Sequence, residues 1–146
     1  YKIKDVLIDD IPITGTLDRI NFIQDTSKVD VIDFKSGKTK TEGEIRGTTK
    51  SDNGNYYRQL IFYALLLKYH NNGKYIFNKG ILDFVEPKET GEFVKHIFAD
   101  IDSQKIKELE EIIKKTSQEI LNLDFWDKYC DDPNCPYCKL RKMMKK

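Results

Sequence analysis

Three short stretches place reactive residues at spacings that could do chemistry. In "VIDFKSGK" (31–38), Asp33 and Lys35 lie two apart on an apolar run that reads as a β-strand, so both side chains leave one face. In "GTLDRI" (15–20), Asp18 belongs to a second β-rich run. In "YYRQLIFYALLL" (56–67), Gln59 and Tyr63 are four apart on a run with the leucine content of a helix, hence on one helical face. "QDTS" (24–27) joins the two β-rich runs and reads as a hairpin turn. With a turn through two residues, Asp25 and Thr26, paired residue numbers sum to 51 and Asp18 falls opposite Asp33. The shared face then carries Asp18, Ile20 and Phe22 from one strand and Val29, Val31, Asp33 and Lys35 from the other.

Directly paired residues hold their Cβ atoms roughly 4.5–5.5 Å apart. Two carboxylates that close, on a partly buried face, repel each other and are poorly solvated. A divalent cation between them removes both costs, and hard oxygen ligands suit Mg²⁺ or Mn²⁺. Lys35 could then orient a metal-bound water or neutralise charge on a phosphorane-like transition state. The pattern reads as half of a metal-dependent phosphodiester-cleaving site. Each piece also has an ordinary reading. A D-x-K on a strand is commonly surface charge, and a turn of other parity moves one acid to the opposite face. Gln59 and Tyr63 alone describe any amphipathic helix, with Tyr63 in the core and Gln59 at its boundary.

The elements that must position these residues follow from pattern. "IPITGTLDRINFI" (11–23) and "KVDVIDFK" (28–35) form the hairpin, and the Gly-, Lys- and Thr-rich segment 36–55 has no apolar periodicity and reads as a loop. That loop offers few apolar anchors, so 36–54 is expected to be the least ordered part of the chain. Its Lys38, Lys40, Arg46 and Lys50 could guide phosphates to the metal. A helix over 56–70 ends at Asn71, Asn72 and Gly73. "KYIFNKGILDFVE" (74–86) reads as one or two strands, a turn spans Pro87 to Gly91, and "EFVKHIFA" (92–99) is another strand. From Asp102 to Leu123 the residues Ile106, Leu109, Ile112, Ile113, Ile120 and Leu123 recur at helical spacing. This order predicts an α/β (α+β) layer with a mixed sheet.

The chain of 146 residues is long enough for one core, and its 39% hydrophobic and 12% aromatic content fits a folded domain. Its 25 basic and 24 acidic residues leave a net charge of +1, so any nucleic-acid surface must be local. The longest apolar run, "LIFYALLL" (60–67), is too short to span a bilayer, and no secretory signal is visible. Three cysteines clustered near the C-terminus argue against a disulfide framework and for a cytoplasmic setting. The start at Tyr1, in mid-pattern and without Met, reads as a segment of a longer protein.

Taken in order, "GTLDRI", "VIDFKSGK" and "YYRQLIFYALLL" resemble successive motifs of the RecB-type nucleases within the PD-(D/E)xK superfamily. That family shows G-x-[IL]-D-R, then D-[YF]-K-[TS]-G, then Q-x-x-x-Y, which fall here on Asp18, on Asp33 with Lys35, and on Gln59 with Tyr63. The resemblance implies a restriction-endonuclease-like core, a mixed sheet flanked by helices, and a Mg²⁺-dependent deoxyribonuclease. Asp18, Asp33 and the main-chain carbonyl of Phe34 would be metal ligands. Gln59 and Tyr63 would position the lysine, water or DNA. It further implies a place in a UvrD/RecB-type helicase–nuclease acting in DNA repair or recombination, with DNA and helicase domains as partners. No P-loop G-x-x-x-x-G-K-[ST] occurs, so ATP hydrolysis by that route is not expected. The family's upstream helix, which completes the metal site, has no counterpart here, and neither His70 nor His96 is placed to replace it. A segment without it is expected to bind metal weakly and cut poorly. A catalytically inactive, DNA-gripping relative is the alternative; the complete set of five residues argues against it.

Residues 1–124 are thus expected to form the nuclease core and 125–146 a cysteine-containing basic tail. Many RecB-type nucleases end in C-x-x-C-x5-C, which with one upstream cysteine holds an iron–sulfur cluster. Here Cys135 and Cys138 match, Met144 occupies the last position and no cysteine precedes Cys130. Four thiolates are the usual requirement for a cluster. Three could serve a zinc ion that takes its fourth ligand elsewhere. A merely structural cysteine cluster near Trp126 is the reading preferred from sequence. The closing "KLRKMMKK" could lie along a phosphate backbone or form a solvated terminus.

Overall fold

The computed structural model describes residues 1–144 apart from 51, 127, 131 and 133. Four strands form the main sheet: β3 (Arg19–Phe22), β4 (Lys28–Lys35), β5 (Ile76–Phe84) and β6 (Val94–Phe98), in the order β3-β4-β5-β6. The outer pairs are antiparallel and β4 and β5 are parallel, so the sheet is mixed. β1 (Lys2–Ile8) and β2 (Ile11–Thr16) form a separate antiparallel hairpin. The helices are α1 (Glu42–Arg46), α2 (Asn55–Tyr69), α3 (Ser103–Leu121) and α4 (Pro136–Met144). This is the predicted α/β class, a mixed sheet flanked by helices. None of these helices is long and apolar enough to cross a membrane among the described residues.

The β3–β4 register is the predicted one: Ile20 faces Val31 and Phe22 faces Val29. The turn is wider than two residues. Ile23 N–H donates to the Lys28 carbonyl at 3.1 Å, so Gln24 to Ser27 form a four-residue loop about the same centre. Asp25 takes a positive φ of 57° there, a conformation that Asp tolerates in turns. The predicted run 11–23, by contrast, is two strands. It breaks at Leu17 and Asp18, where β2 leaves for its own hairpin and β3 joins the sheet. Phe22 lies on the predicted face yet is 61% exposed, its ring meeting Tyr75 edge-on at 5.3 Å.

β4 is a central strand whose Val29, Val31, Ile32 and Asp33 are all buried, as a parallel pairing covered by helices requires. The crossover from β4 to β5 is α2. It ends where Asn71 and Asn72 turn left-handed (φ 48° and 55°). Leu60, Tyr63, Ala64, Leu66 and Leu67 of α2 join Val29, Val31, Leu82 and Phe84 in the main core. Leu65, on the other side of α2, packs with Ile8 and Leu109. α2 is therefore covered from both sides along Tyr63 to Leu67, a stretch that needs no polar stripe.

Gly80 lets α2 approach β5. A Cβ there would lie 2.8 Å from Leu60 Cδ1 and 3.1 Å from its Cγ, and Leu60 is fully buried with no room to swing away. Gly80→Val is expected to cost about 1–3 kcal/mol as an overpacking substitution. A drop in the urea midpoint with an unchanged slope would show it; an unshifted midpoint would mean that α2 can move off the sheet.

Two expectations need correction. The segment 36–54 is not an unanchored loop. α1 carries a capping box, with Thr41 and Glu44 bonded reciprocally, and Ile45 is 1% exposed within the main core. Gly47 ends α1 at φ 73°, and a Cβ on it would meet the Gly54 backbone nitrogen at 2.5 Å, so the two ends of the loop are pressed together. The apolar repeat in α3 is not wholly a core face either. Ile106, Leu109 and Ile113 pack inward, while Ile112, Ile120 and Leu123 are more than half exposed. Glu110 ties α3 to α2, bonding Lys68 at 2.9 Å and Lys114 at 2.9 Å.

Candidate active site

Strand alternation sends Asp33 and Lys35 to the face that α2 covers, and helical spacing aims Gln59 and Tyr63 back at them. The four side chains close a ring. Tyr63 Oη donates to Asp33 Oδ1 at 2.7 Å, and Gln59 Nε2 donates to Tyr63 Oη at 2.6 Å. Lys35 Nζ donates to Gln59 Oε1 at 2.6 Å and lies 2.5 Å from Asp33 Oδ2. Each member fixes the next. Tyr63 is 4% exposed and Asp33 2%. Burial first, and the Asp33 carboxylate second, push the Tyr63 hydroxyl well above its ordinary pKa, so it remains a protonated donor.

Asp18 sits at the bend just before β3. The ladder ends at Arg19, so Asp18 has no backbone partner; instead its Oδ2 accepts the Phe34 N–H at 2.9 Å. Its charge also reaches Tyr63, whose hydroxyl it helps to hold protonated. The Phe34 N–H points to the sheet edge that β3 has left, and in a strand the carbonyl of the same residue points the same way. Asp18, the Asp33 carboxylate and the Phe34 carbonyl thus gather at the end of β4.

These residues fit a hard divalent cation. Asp33 Oδ2 is fully buried, and although Lys35 balances its charge, no donor meets it in hydrogen-bonding geometry. A buried carboxylate needs positive charge beside it; Lys35 supplies one such charge, and a cation would add a second together with direct ligation. All the available donors are oxygens, the ligand type that Mg²⁺ and Mn²⁺ prefer.

Sequence reasoning missed the floor of the site. Tyr56 lies one helical turn before Gln59, and its ring carries Lys35 Nζ at 4.3 Å from the centroid and Lys40 Nζ at 4.9 Å. The spacing 56, 59, 63 was the available signal, since all three fall on one helical face. Lys40 is held by an ion pair with Asp52, and its carbonyl receives His96 Nε2 at 2.9 Å. Arg46 is also engaged. It grips Asp100 at 2.8 Å and Glu42 at 2.8 Å, so it buttresses the loop and is not a free cation for phosphates. His70 meets the Tyr1 hydroxyl at 3.3 Å, away from the acids.

Tyr63→Phe removes one link of the ring and leaves its shape. Loss of such a supporting partner commonly costs about 10–100-fold in metal affinity or activity. A parallel decline in both is expected in metal titrations and turnover assays; wild-type values in both would make the Tyr63–Asp33 bond dispensable.

The cysteines meet one another. Cys130, Cys135 and Cys138 place their sulfur atoms within 4.8 Å of each other, at the start of α4. The Arg141 guanidinium stacks over Trp126 and Tyr129 and donates to the Phe125 and Lys128 carbonyls at 3.0 and 2.9 Å. Lys145 and Lys146 of the basic tail lie outside the described residues.

Comparison with family models matches residues 2–143 to the one described as the PD-(D/E)XK nuclease superfamily. No curated protein and no solved structure gives a significant match.

Proposed function

We propose that this chain, which belongs to the PD-(D/E)XK nuclease superfamily, is a Mg²⁺- or Mn²⁺-dependent deoxyribonuclease domain of the RecB type. The observation that carries this reading is the closed ring of Asp33, Tyr63, Gln59 and Lys35, with the Asp18 carboxylate bonded to the next amide along β4. Superfamily membership supports nuclease chemistry; the five residues, in the order and spacing of RecB-type motifs, support the narrower assignment and with it a helicase-associated role in DNA repair or recombination.

Asp18, Asp33 and the Phe34 carbonyl would hold the cation, which when bound polarises the scissile phosphate and acidifies a water. The chain's own residues do the rest. Asp33 is fixed by Tyr63, so its second oxygen keeps one orientation and needs no reorganisation during reaction. Gln59 holds Lys35 from one side and the Tyr56 ring supports it from below, leaving the ammonium aimed at the carboxylates, where a phosphate would approach. There it neutralises charge that grows on the non-bridging oxygens in the transition state, which is where preorganised charge counts most.

The test is incubation of labelled linear single- and double-stranded DNA, closed circular DNA and RNA with the purified chain, with Mg²⁺ or Mn²⁺ and with chelator. Metal-dependent loss of DNA, abolished by Asp18→Ala, supports the reading, and the circular substrate separates end-dependent from internal cutting. DNA binding without cleavage under any metal would favour the alternative, a nuclease-like DNA-binding module.

A further inference from the structure

The cysteine triad at the start of α4 takes no part in the site above, and its geometry answers a question left open by spacing. An iron–sulfur cluster does not fit. Its thiolates, normally four, are each bound to an iron of a polynuclear core. A cluster also spreads its thiolates around several irons, further apart than one ion requires. Here the three sulfur atoms lie within 4.8 Å of one another, and Cys130 Sγ is 3.5 Å from Cys138 Sγ. Zn–S bonds of about 2.3 Å at tetrahedral angles set sulfurs roughly 3.8 Å apart. The observed spacing brackets that value.

We propose that Cys130, Cys135 and Cys138 bind one tetrahedral Zn²⁺, with water as the fourth ligand, and that this ion fastens the C-terminal segment.

Local structure holds the three sulfur atoms together. Cys135 immediately precedes α4 and Cys138 lies in its first turn, so the start of the helix keeps both sulfurs beside Cys130. The Cys130 N–H points at Cys138 Sγ at 3.4 Å, the kind of backbone bond that orients a sulfur ligand. Three thiolates around a dication leave one negative charge, and Lys139, Arg141 and Lys142 follow on the same helix to balance it. The segment also needs a fastener. Phe125, Trp126 and Tyr129 are 40–60% exposed, so apolar burial holds it weakly, and Arg141 supplies the other tie, to the Phe125 and Lys128 carbonyls. Small segments short of a core are commonly stapled by metal.

The experiment is a Co²⁺ and Zn²⁺ titration of the reduced full chain, followed by elemental analysis, beside an anaerobic reconstitution with iron and sulfide. The expected result is one ion per chain, visible bands of tetrahedral Co²⁺ with sulfur-to-cobalt charge transfer in the near ultraviolet, and displacement by Zn²⁺. Cys130→Ser, Cys135→Ser and Cys138→Ser should each weaken binding at least about 100-fold while the remainder of the chain stays folded by circular dichroism. Zinc should protect the bonds after Lys128 and Lys139 from trypsin, and chelator should expose them. Three results would overturn the proposal: Co²⁺ retaining its octahedral aqua spectrum, more than one iron per chain with matching sulfide, or a Cys130–Cys138 disulfide that reduction does not replace with bound metal.

Discussion

Asp33→Ala is expected to abolish cleavage, by about 10³-fold or more, and to lose the divalent ion at the same time. Asp33 is the one acid of the site that is buried, at 2% exposure, and it holds both Tyr63 and Lys35 in place. Removing it deletes a ligand and leaves the Lys35 ammonium, only partly exposed, without its counter-charge. Breaking such a pair from one side is costly. The variant should therefore also lose stability. Asp33→Asn separates the two effects: the amide oxygen can still accept from Tyr63, so the fold is retained while the charge that a cation needs is gone. If Asp33→Asn cleaves at the wild-type rate, the carboxylate has no part in the chemistry.

Lys35→Ala carries the second-largest expected effect, a loss of about 10²–10³ in rate, roughly 3–4 kcal/mol, measured in single-turnover cleavage. Metal affinity should stay unchanged or rise modestly, because the ammonium now 2.5 Å from Asp33 Oδ2 opposes a second cation beside it. This split distinguishes a group that stabilises charge from one that binds the ion. Lys35→Arg tests the fit. The charge survives, but a planar, wider guanidinium cannot both reach Gln59 Oε1 and rest on the Tyr56 ring as the ammonium does, and little recovery is expected. Cleavage by Lys35→Ala equal to wild type would return Lys35 to an ordinary strand lysine that neutralises Asp33.

The β-hairpin was legible because its pattern is local. Alternation along 19–22 and 28–35, with a polar turn between, fixes which residues share a face, and the observed pairing of Ile20 with Val31 follows that parity. α2 was legible for the same reason, with its end marked by Asn71, Asn72 and Gly73. β1 was not. A register shift between Ile3 and Val6, with Asp5 at φ 58°, breaks the two-residue repeat, so "YKIKDVLI" does not alternate although Ile3, Val6 and Ile8 are all buried. α1 is five residues long and is held by its capping box and Ile45, too short for periodicity to register. In α3 the apolar spacing is real, but the core in reach covers only Ile106, Leu109 and Ile113, and no spacing rule says how far the partner surface extends.

Within the site, sequence spacing brings Gln59 and Tyr63 to one helical face, but what they touch depends on how closely α2 lies on the sheet, which Gly80 decides from a distant strand. The bond between the Asp18 carboxylate and the Phe34 N–H had no sequence signal at all. It exists because the ladder stops at Arg19 and leaves that amide without a backbone partner. Tyr56 was within reach of the helical spacing yet unmarked, since a ring beneath an ammonium has no motif of its own.

The central claim is that Asp18 and Asp33 together hold the cation that cleavage requires. Electron paramagnetic resonance of Mn²⁺ titrated into the wild-type chain, Asp18→Ala and Asp33→Asn measures this directly, with cleavage of linear DNA followed on the same samples. The expected result is a bound Mn²⁺ population in the wild type that disappears in both variants, together with the loss of cleavage. Equal Mn²⁺ binding by all three proteins, with cleavage persisting in the variants, would contradict it.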